Sequence, residues 1–193
     1  MRAFLTAVIF LVAFTATGNS LQCYRCTAPG TDCTGELIDC NDGLTTCETL
    51  TIETTQDGNT TTLVIKDCSA KEEPNSAYRE KSLTTYFQLE THNCDTDGCN
   101  QGPAAHTLPD NTPNGVKCMQ CFNENGSDCH SDEIMECTGD MKKCLFIATF
   151  GCTADASPCS YRLCANIASP EQHPFYFQIA EKEIETIETS DGI

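Results

Sequence analysis

The clearest periodicity along the chain is two. TLTIETT (Thr49 to Thr55) and TTTLVIK (Thr60 to Lys66) are alternating, β-branched runs on either side of Gln56-Asp57-Gly58-Asn59. Successive side chains of a strand point to opposite faces, and Asp-Gly supplies the positive φ of a tight turn. The segment therefore predicts a β-hairpin. LTTYFQLET (Leu83 to Thr91) predicts another strand, and Phe175–Ile179 a closing strand ahead of a frayed acidic end. Helical periodicity is absent throughout, so the expected class is all-β. One stretch is apolar without alternation, Ala3 to Ala16, behind Arg2 and ahead of Thr17-Gly18-Asn19-Ser20. Small residues suit cleavage after Ser20, and residues 1–20 read as a secretory signal peptide, too short for a stable membrane span. The C-terminal EKEIETIETSDGI is too acidic for the hydrophobic tail of a lipid-anchor signal. An exported, soluble protein without a membrane anchor is expected.

Composition sharpens this picture. Of 193 residues 16 are Cys, none is Trp and 39% are hydrophobic, which favours small cross-linked modules over one large core. In an oxidising compartment an even cysteine count reads as disulfides. The C-x-x-C pairs Cys23/Cys26 and Cys118/Cys121 lie 95 residues apart, unlike the spacing of about 15–20 in one zinc ribbon. His92, His106, His130 and His173 are scattered, so no metal is expected.

The chain also repeats itself. LQCYRC (Leu21 to Cys26) recurs as VKCMQC (Val116 to Cys121), followed by Cys33, Cys40, Cys47 in one half and Cys129, Cys137, Cys144 in the other. CSAKEEPNSAYR, from Cys68, aligns with CTADASPCSYR, from Cys152, and TYFQLETHNC with FYFQIAEKEI. Two modules follow, residues 21–102 and 116–193, the second ending in an acidic tail. Residues 103–115, rich in Pro, read as an extended linker.

LQCYRC at the start and CDTDGCN at the end of the first module resemble the three-finger superfamily of lymphocyte-antigen and urokinase-receptor type domains. The resemblance implies two tandem, snake-toxin-like β modules, the second degenerate. The superfamily pairs ten cysteines first with fifth, second with third, fourth with sixth, seventh with eighth and ninth with tenth. Carried over, this implies Cys23–Cys47, Cys26–Cys33, Cys40–Cys68 and Cys94–Cys99, with Asn75 and Asn93 where the seventh and eighth would stand. For module two it implies Cys118–Cys144, Cys121–Cys129 and Cys137–Cys152, leaving Cys159 to pair with Cys164. Ile184 and Thr189 then occupy the ninth and tenth places. Only LFIATFG separates Cys144 from Cys152, against twenty residues between Cys47 and Cys68, so finger two of module two is expected to be short or absent.

No G-x-S-x-G elbow, H-E-x-x-H helix, free thiol or phosphate loop emerges, so no catalytic residue, cofactor or enzyme activity is expected. Asn59-Thr60-Thr61 and Asn125-Gly126-Ser127 are glycosylation sequons, Asn59 at the predicted tip of finger two. The net charge of −17 argues against nucleic acid, and against anionic membrane surfaces. Apart from Arg2 and the linker's Asp110, which cancel, it falls as −9 on residues 21–102, −3 on 116–169 and −5 on 170–193, which keeps the protein soluble or steers it toward a basic protein. The tandem modules, eight cysteines in each and the MRAFLTAVIF leader resemble the sodefrin precursor-like factors, amphibian courtship pheromones. That resemblance implies a secreted signal read by a chemosensory receptor through the surface Thr49–Lys66. The tandem modules and the eight cysteines in each, though not the leader, also resemble the gamma-type phospholipase A₂ inhibitors, which implies instead a basic secreted phospholipase as partner.

Overall fold

The computed structural model describes residues 20–41, 43–70, 75–150, 157–173 and 186–193. The expected signal peptide up to Asn19, the expected strand at Phe175–Ile179 and Cys152 lie outside the described residues. Among the described residues there are twelve strands: β1 (Gln22–Pro29), β2 (Glu36–Asp39), β3 (Thr46–Gln56), β4 (Asn59–Ser69), β5 (Asn75–Lys81) and β6 (Thr85–Cys94), then β7 (Pro113–Met119), β8 (Cys121–Asn123), β9 (Ile134–Thr138), β10 (Lys143–Phe150), β11 (Pro158–Ala165) and β12 (Thr186–Ser190). The only helical element among the described residues is a 3-10 turn at Pro170–Gln172.

The Asp57-Gly58 hairpin forms as its alternation predicts, with β3 and β4 paired from Thr46↔Ser69 to Gln56↔Asn59. The β10–β11 hairpin is its counterpart in module two, paired from Lys143↔Ala165 to Phe150↔Pro158. Finger two of module two is therefore present, with strands of eight residues against eleven. Of the two expected forms, short or absent, the finger takes the short one; its expected absence rests on matching Cys152 to Cys68. Register shows the correct match: Cys68 lies opposite Cys47 and Cys164 lies opposite Cys144.

The bridges follow from this register. Module one holds Cys23–Cys47, Cys26–Cys33, Cys40–Cys68 and Cys94–Cys99, and module two holds Cys118–Cys144 and Cys121–Cys129. Cys137 pairs with Cys164 at a Cα separation of 5.6 Å, which corrects both Cys137–Cys152 and Cys159–Cys164. Cys164 stands beside the Cys118–Cys144 bridge as Cys68 stands beside Cys23–Cys47, so Cys137 meets Cys164 as Cys40 meets Cys68. Cys159, the second residue of β11 and opposite Thr149, is also disulfide-bonded.

The acidic end is not frayed either. β12 pairs with β10, placing Ser190 opposite Cys144 where module one sets Cys94 opposite Cys47. The ninth-cysteine place thus falls at Ser190, not Ile184. In the absence of a bridge there, the Ile193 N–H donates to Lys117 O at 3.0 Å, and Lys143 pairs with Asp191.

The two modules share one ten-stranded sheet, in the order β12-β10-β11-β5-β6-β3-β4-β1-β2, with β8 also on β11. The junction is the pairing of Cys164 and Ala165 with Lys81 and Glu80. Register puts Leu50, Ile52, Tyr78, Glu80, Phe87 and Leu89 on one face of module one. Tyr78 and Leu89 enter a cluster with Met135, Met141, Leu145, Ile147, Leu163 and Ile167 of module two, against which Leu50, Ile52 and Phe87 also pack. Burial of such side chains stabilises by about 1.5–3 kcal/mol each, so each module supports the other.

The opposite face carries Thr51, Glu53, Gln88 and Glu90, all buried. Glu53, Gln88 and Glu90 meet the segment expected to be an extended linker. Although 101–112 has no regular secondary structure, Gln88 Nε2 donates to Thr107 O at 2.8 Å and the Thr107 N–H to Glu90 Oε2 at 2.9 Å. His106 lies 2.8 Å from Glu53 and 3.7 Å from Glu90. Arg79 bridges Glu90 at 2.9 Å and Asp140 of module two at 2.8 Å. Lys66, fully buried, donates to Asp32 at 2.7 Å and to Gly102 O at 2.6 Å. The last three residues of the expected linker, 113–115, belong to β7.

Because Cys137–Cys164 closes 27 residues, replacing both cysteines by Ser should cost about 3–4 kcal/mol by the loop-entropy relation. Denaturant unfolding of the double variant measures this. Peptide mapping without reduction should recover Cys137 joined to Cys164.

Candidate functional site

The exposed tip of finger two is built by its turn. Asp57 and Gly58 both have positive φ, 49° and 80°, the backbone that matches the right-handed twist of the flanking strands. Residues 56–61 are exposed, including Asn59 of the first sequon. The expected surface Thr49–Lys66 is narrower than its range, because Thr49 and Lys66 at its ends are buried. Nor does the tip stand alone: the Asp57 N–H donates to Thr84 O in the β5–β6 turn at 3.0 Å. Asn125, in the second sequon, is exposed on the loop closed by Cys121–Cys129, its N–H donating to Asn123 Oδ1 at 3.1 Å.

Two sets of sulfurs converge, Cys23 with Cys40 and Cys68, and Cys118 with Cys137 and Cys164. Every one of these sulfurs belongs to a disulfide, so the sets are stacked bridges and offer no thiolate to a metal. The four histidines are not brought together. His92 lies on β6, His106 faces Glu53 and Glu90, and His130 is exposed beside Asp128. His173 is buried edge-on to Tyr78 at 5.1 Å between ring centroids. Burial holds its imidazole down to about 4.

A cleft of about 350 Å³ opens where the modules meet. Strand β11 creates it. One of its edges pairs with β8 through Ser160–Arg162 and with β5 through Cys164–Ala165, leaving Leu163 facing a gap between the two. Phe87, Phe122, Tyr161 and Leu163 supply apolar walls, Gln120, Ser82 and Thr85 polar ones, and Glu80 a carboxyl. The Glu80 carboxyl accepts a short hydrogen bond from Tyr78. Burial pushes its pKa up, and burial raises the Tyr161 phenol too, with the nearby Glu80 adding to it. Arg162, the cation on the wall, is occupied elsewhere. Its guanidinium lies 4.2 Å from the centre of the Phe146 ring, with Nε donating to Cys129 O at 3.2 Å and a terminal nitrogen 3.6 Å from Asp128.

Sequence reasoning missed this cleft, because its walls come from both modules. One local signal existed. In NSAYREK, Glu80 shares its face with Tyr78, and across the β5–β6 pairing with Phe87 and Leu89, so a carboxylate breaks an otherwise apolar face.

A family model for the u-PAR/Ly-6 domain matches residues 19–102 and again 114–187. Among curated proteins, a phospholipase A2 inhibitor of the gamma type from Laticauda semifasciata is 28% identical over 138 residues, which span 66% of this chain and 71% of that protein. Among solved structures, the crystal structure of mouse TEX101 overlays with a TM-score of 0.38 at 15% identity, covering 88% of this chain and 95% of that one.

His173, buried, and Glu80, half-buried, give opposite pH signs. His173 stays neutral when folded, whereas its unfolded form gains a proton below about 6.5. Its contribution is complete above that pH and is lost as pH falls toward about 4, by roughly 3 kcal/mol in all. Glu80, with its carboxyl raised, instead removes stability as pH climbs above the ordinary carboxylate range. Urea unfolding at pH 4, 5 and 7.5 should show His173→Gln losing less stability than wild type on acidification. Glu80→Gln should gain on wild type as pH rises.

Proposed function

The chain belongs to the u-PAR/Ly-6 domain family, with two copies of its domain, and on that premise we propose that it is an extracellular, non-enzymatic binding protein that acts through a protein partner. The observation that carries this reading is the form of the exposed surface. A hairpin tip, residues 56–61, projects from a sheet whose seven described disulfides hold it before any partner arrives. A pre-ordered loop loses little entropy on binding. Disulfides in this number persist in an oxidising compartment. No helix of the described residues is long and apolar enough to cross a membrane.

For the partner, the sodefrin-like leader and LQCYRC start support a courtship signal received by a chemosensory receptor. Glycosylation at Asn59 and Asn125, both exposed, would decorate the tip of finger two and the first finger of module two. A second reading is favoured by the relative named as a phospholipase A2 inhibitor: a basic secreted phospholipase, drawn by the charge of −17.

Under the signalling reading the transcript is abundant in a courtship gland, and purified chain evokes calcium responses in chemosensory neurons that weaken when residues 56–61 are replaced. Expression confined to liver, with silent neurons, would sink it. Under the inhibitor reading the same preparation lowers hydrolysis by a basic secreted phospholipase in proportion to the complex captured. Unchanged hydrolysis and no capture would remove that alternative.

A further inference from the structure

Glu80 is a carboxylate that the described residues leave without an ion-pair partner. It stands at the junction of the modules, on the face that carries Tyr78, Phe87 and Leu89. Its hydrogen-bond partner there is the Tyr78 hydroxyl. Among the described residues no Lys, Arg or His forms an ion pair with it, although Glu53, Glu90, Asp32, Asp67, Asp128, Asp140 and Asp191 all have one. Arg162 lines the same cleft but is bound to Phe146, Cys129 O and Asp128. Glu80 is half-buried, and a carboxylate partly withdrawn from water with no counter-charge is costly, a cost relieved by a cation brought from outside.

The walls specify what kind of cation. Phe87 and Leu163 line the cleft beside Glu80, and Phe122 stands at it with 55% of its surface exposed. An alkyl stem fits such walls, and an exposed aromatic ring attracts a cation passing over its face. The volume of about 350 Å³ suits one long side chain with its flanking backbone, or a small ligand. The charge of −17 draws basic partners toward the protein.

We propose that the inter-module cleft is the anchor pocket for a lysine or arginine side chain of the protein partner, its stem against Phe87, Phe122 and Leu163 and its charge on Glu80. This rests on the reading of the chain as a protein-binding module and deepens it. The site exists only when both modules are joined, because β5 and β6 supply Glu80 and Phe87, and β8 and β11 supply Phe122 and Leu163. Capture of the cation favours the ionised carboxylate, so affinity rises with pH.

The probes are N-acetyl-lysine methylamide and N-acetyl-arginine methylamide, with neutral N-acetyl-norleucine methylamide as control, titrated into the intact chain and followed by amide NMR. The cationic probes should shift the amides of Glu80, Ser82–Thr85, Gln120–Phe122 and Tyr161–Leu163. Norleucine should bind about tenfold more weakly, the loss expected for a charge-assisted contact. Glu80→Gln should weaken the cationic probes by about tenfold and abolish the gain in affinity between pH 4.5 and 7.5. Phe122→Ala, at an exposed ring, should weaken them without touching the fold, and thermal unfolding of Glu80→Gln no lower than wild type shows that it too remains folded. Equal binding of norleucine, an unchanged Glu80→Gln, or shifts spread over the exposed acidic loops would overturn the pocket. The probes need no natural partner, so the pocket can pass while both partner readings fail. Conversely, a partner whose affinity ignores Glu80→Gln and Phe122→Ala removes the pocket and leaves the binding function intact.

Discussion

A β-strand has two hydrogen-bonding edges, and the organisation of this protein depends on how β11 uses its second one. The first pairs with β10 to make finger two of module two. The second is divided, its N-terminal part against β8 of the same module and its C-terminal part against β5 of the other. A pairing of only two residues at that junction would be weak alone. It endures because Tyr78 and Leu89 are carried with β5 and β6 into the apolar cluster of module two, where their burial outweighs the few hydrogen bonds. The cleft beside Leu163 is the gap this division leaves.

The same arrangement explains why the inner polar residues of module one are tolerable. Glu53, Gln88 and Glu90 are buried on the face turned away from the apolar cluster, and buried polar groups without partners are costly. The connecting segment supplies those partners through His106 and Thr107, and Asp140 completes the set through Arg79. A stretch with Pro and few apolar residues is flexible as an isolated sequence. Here it is fixed by side chains from strands distant along the chain. Module geometry is thus held from both faces of one sheet, by apolar packing on one and a charged network on the other.

Much of the fold is legible because it is local. Alternation around Asp57-Gly58 specifies the hairpin and its turn, and the repeat of LQCYRC as VKCMQC marks two related modules. Legibility fails where the repeat is eroded. Position along the chain matches Cys152 to Cys68, whereas pairing register makes Cys164 the equivalent. The strand β12 at Thr186–Ser190 is hidden for a related reason. An acidic run of alternating Thr, Ile and Glu reads as solvated unless the neighbouring β10 edge is known to need a partner.

By itself, the sequence determined the all-β class, the two related modules, the tight turn of finger two and the position of both sequons. These rest on side-chain period, backbone permissiveness at Asp-Gly and the count and spacing of cysteines, all carried by neighbouring residues. Only the tertiary structure decided that Cys137 meets Cys164, that the connecting segment is locked down, that the modules share one sheet, and that Glu80 lines a cleft with no ion-pair partner among the described residues. Each of those depends on which distant edges and faces meet, and an edge carries no mark in its own residues of the strand that will occupy it.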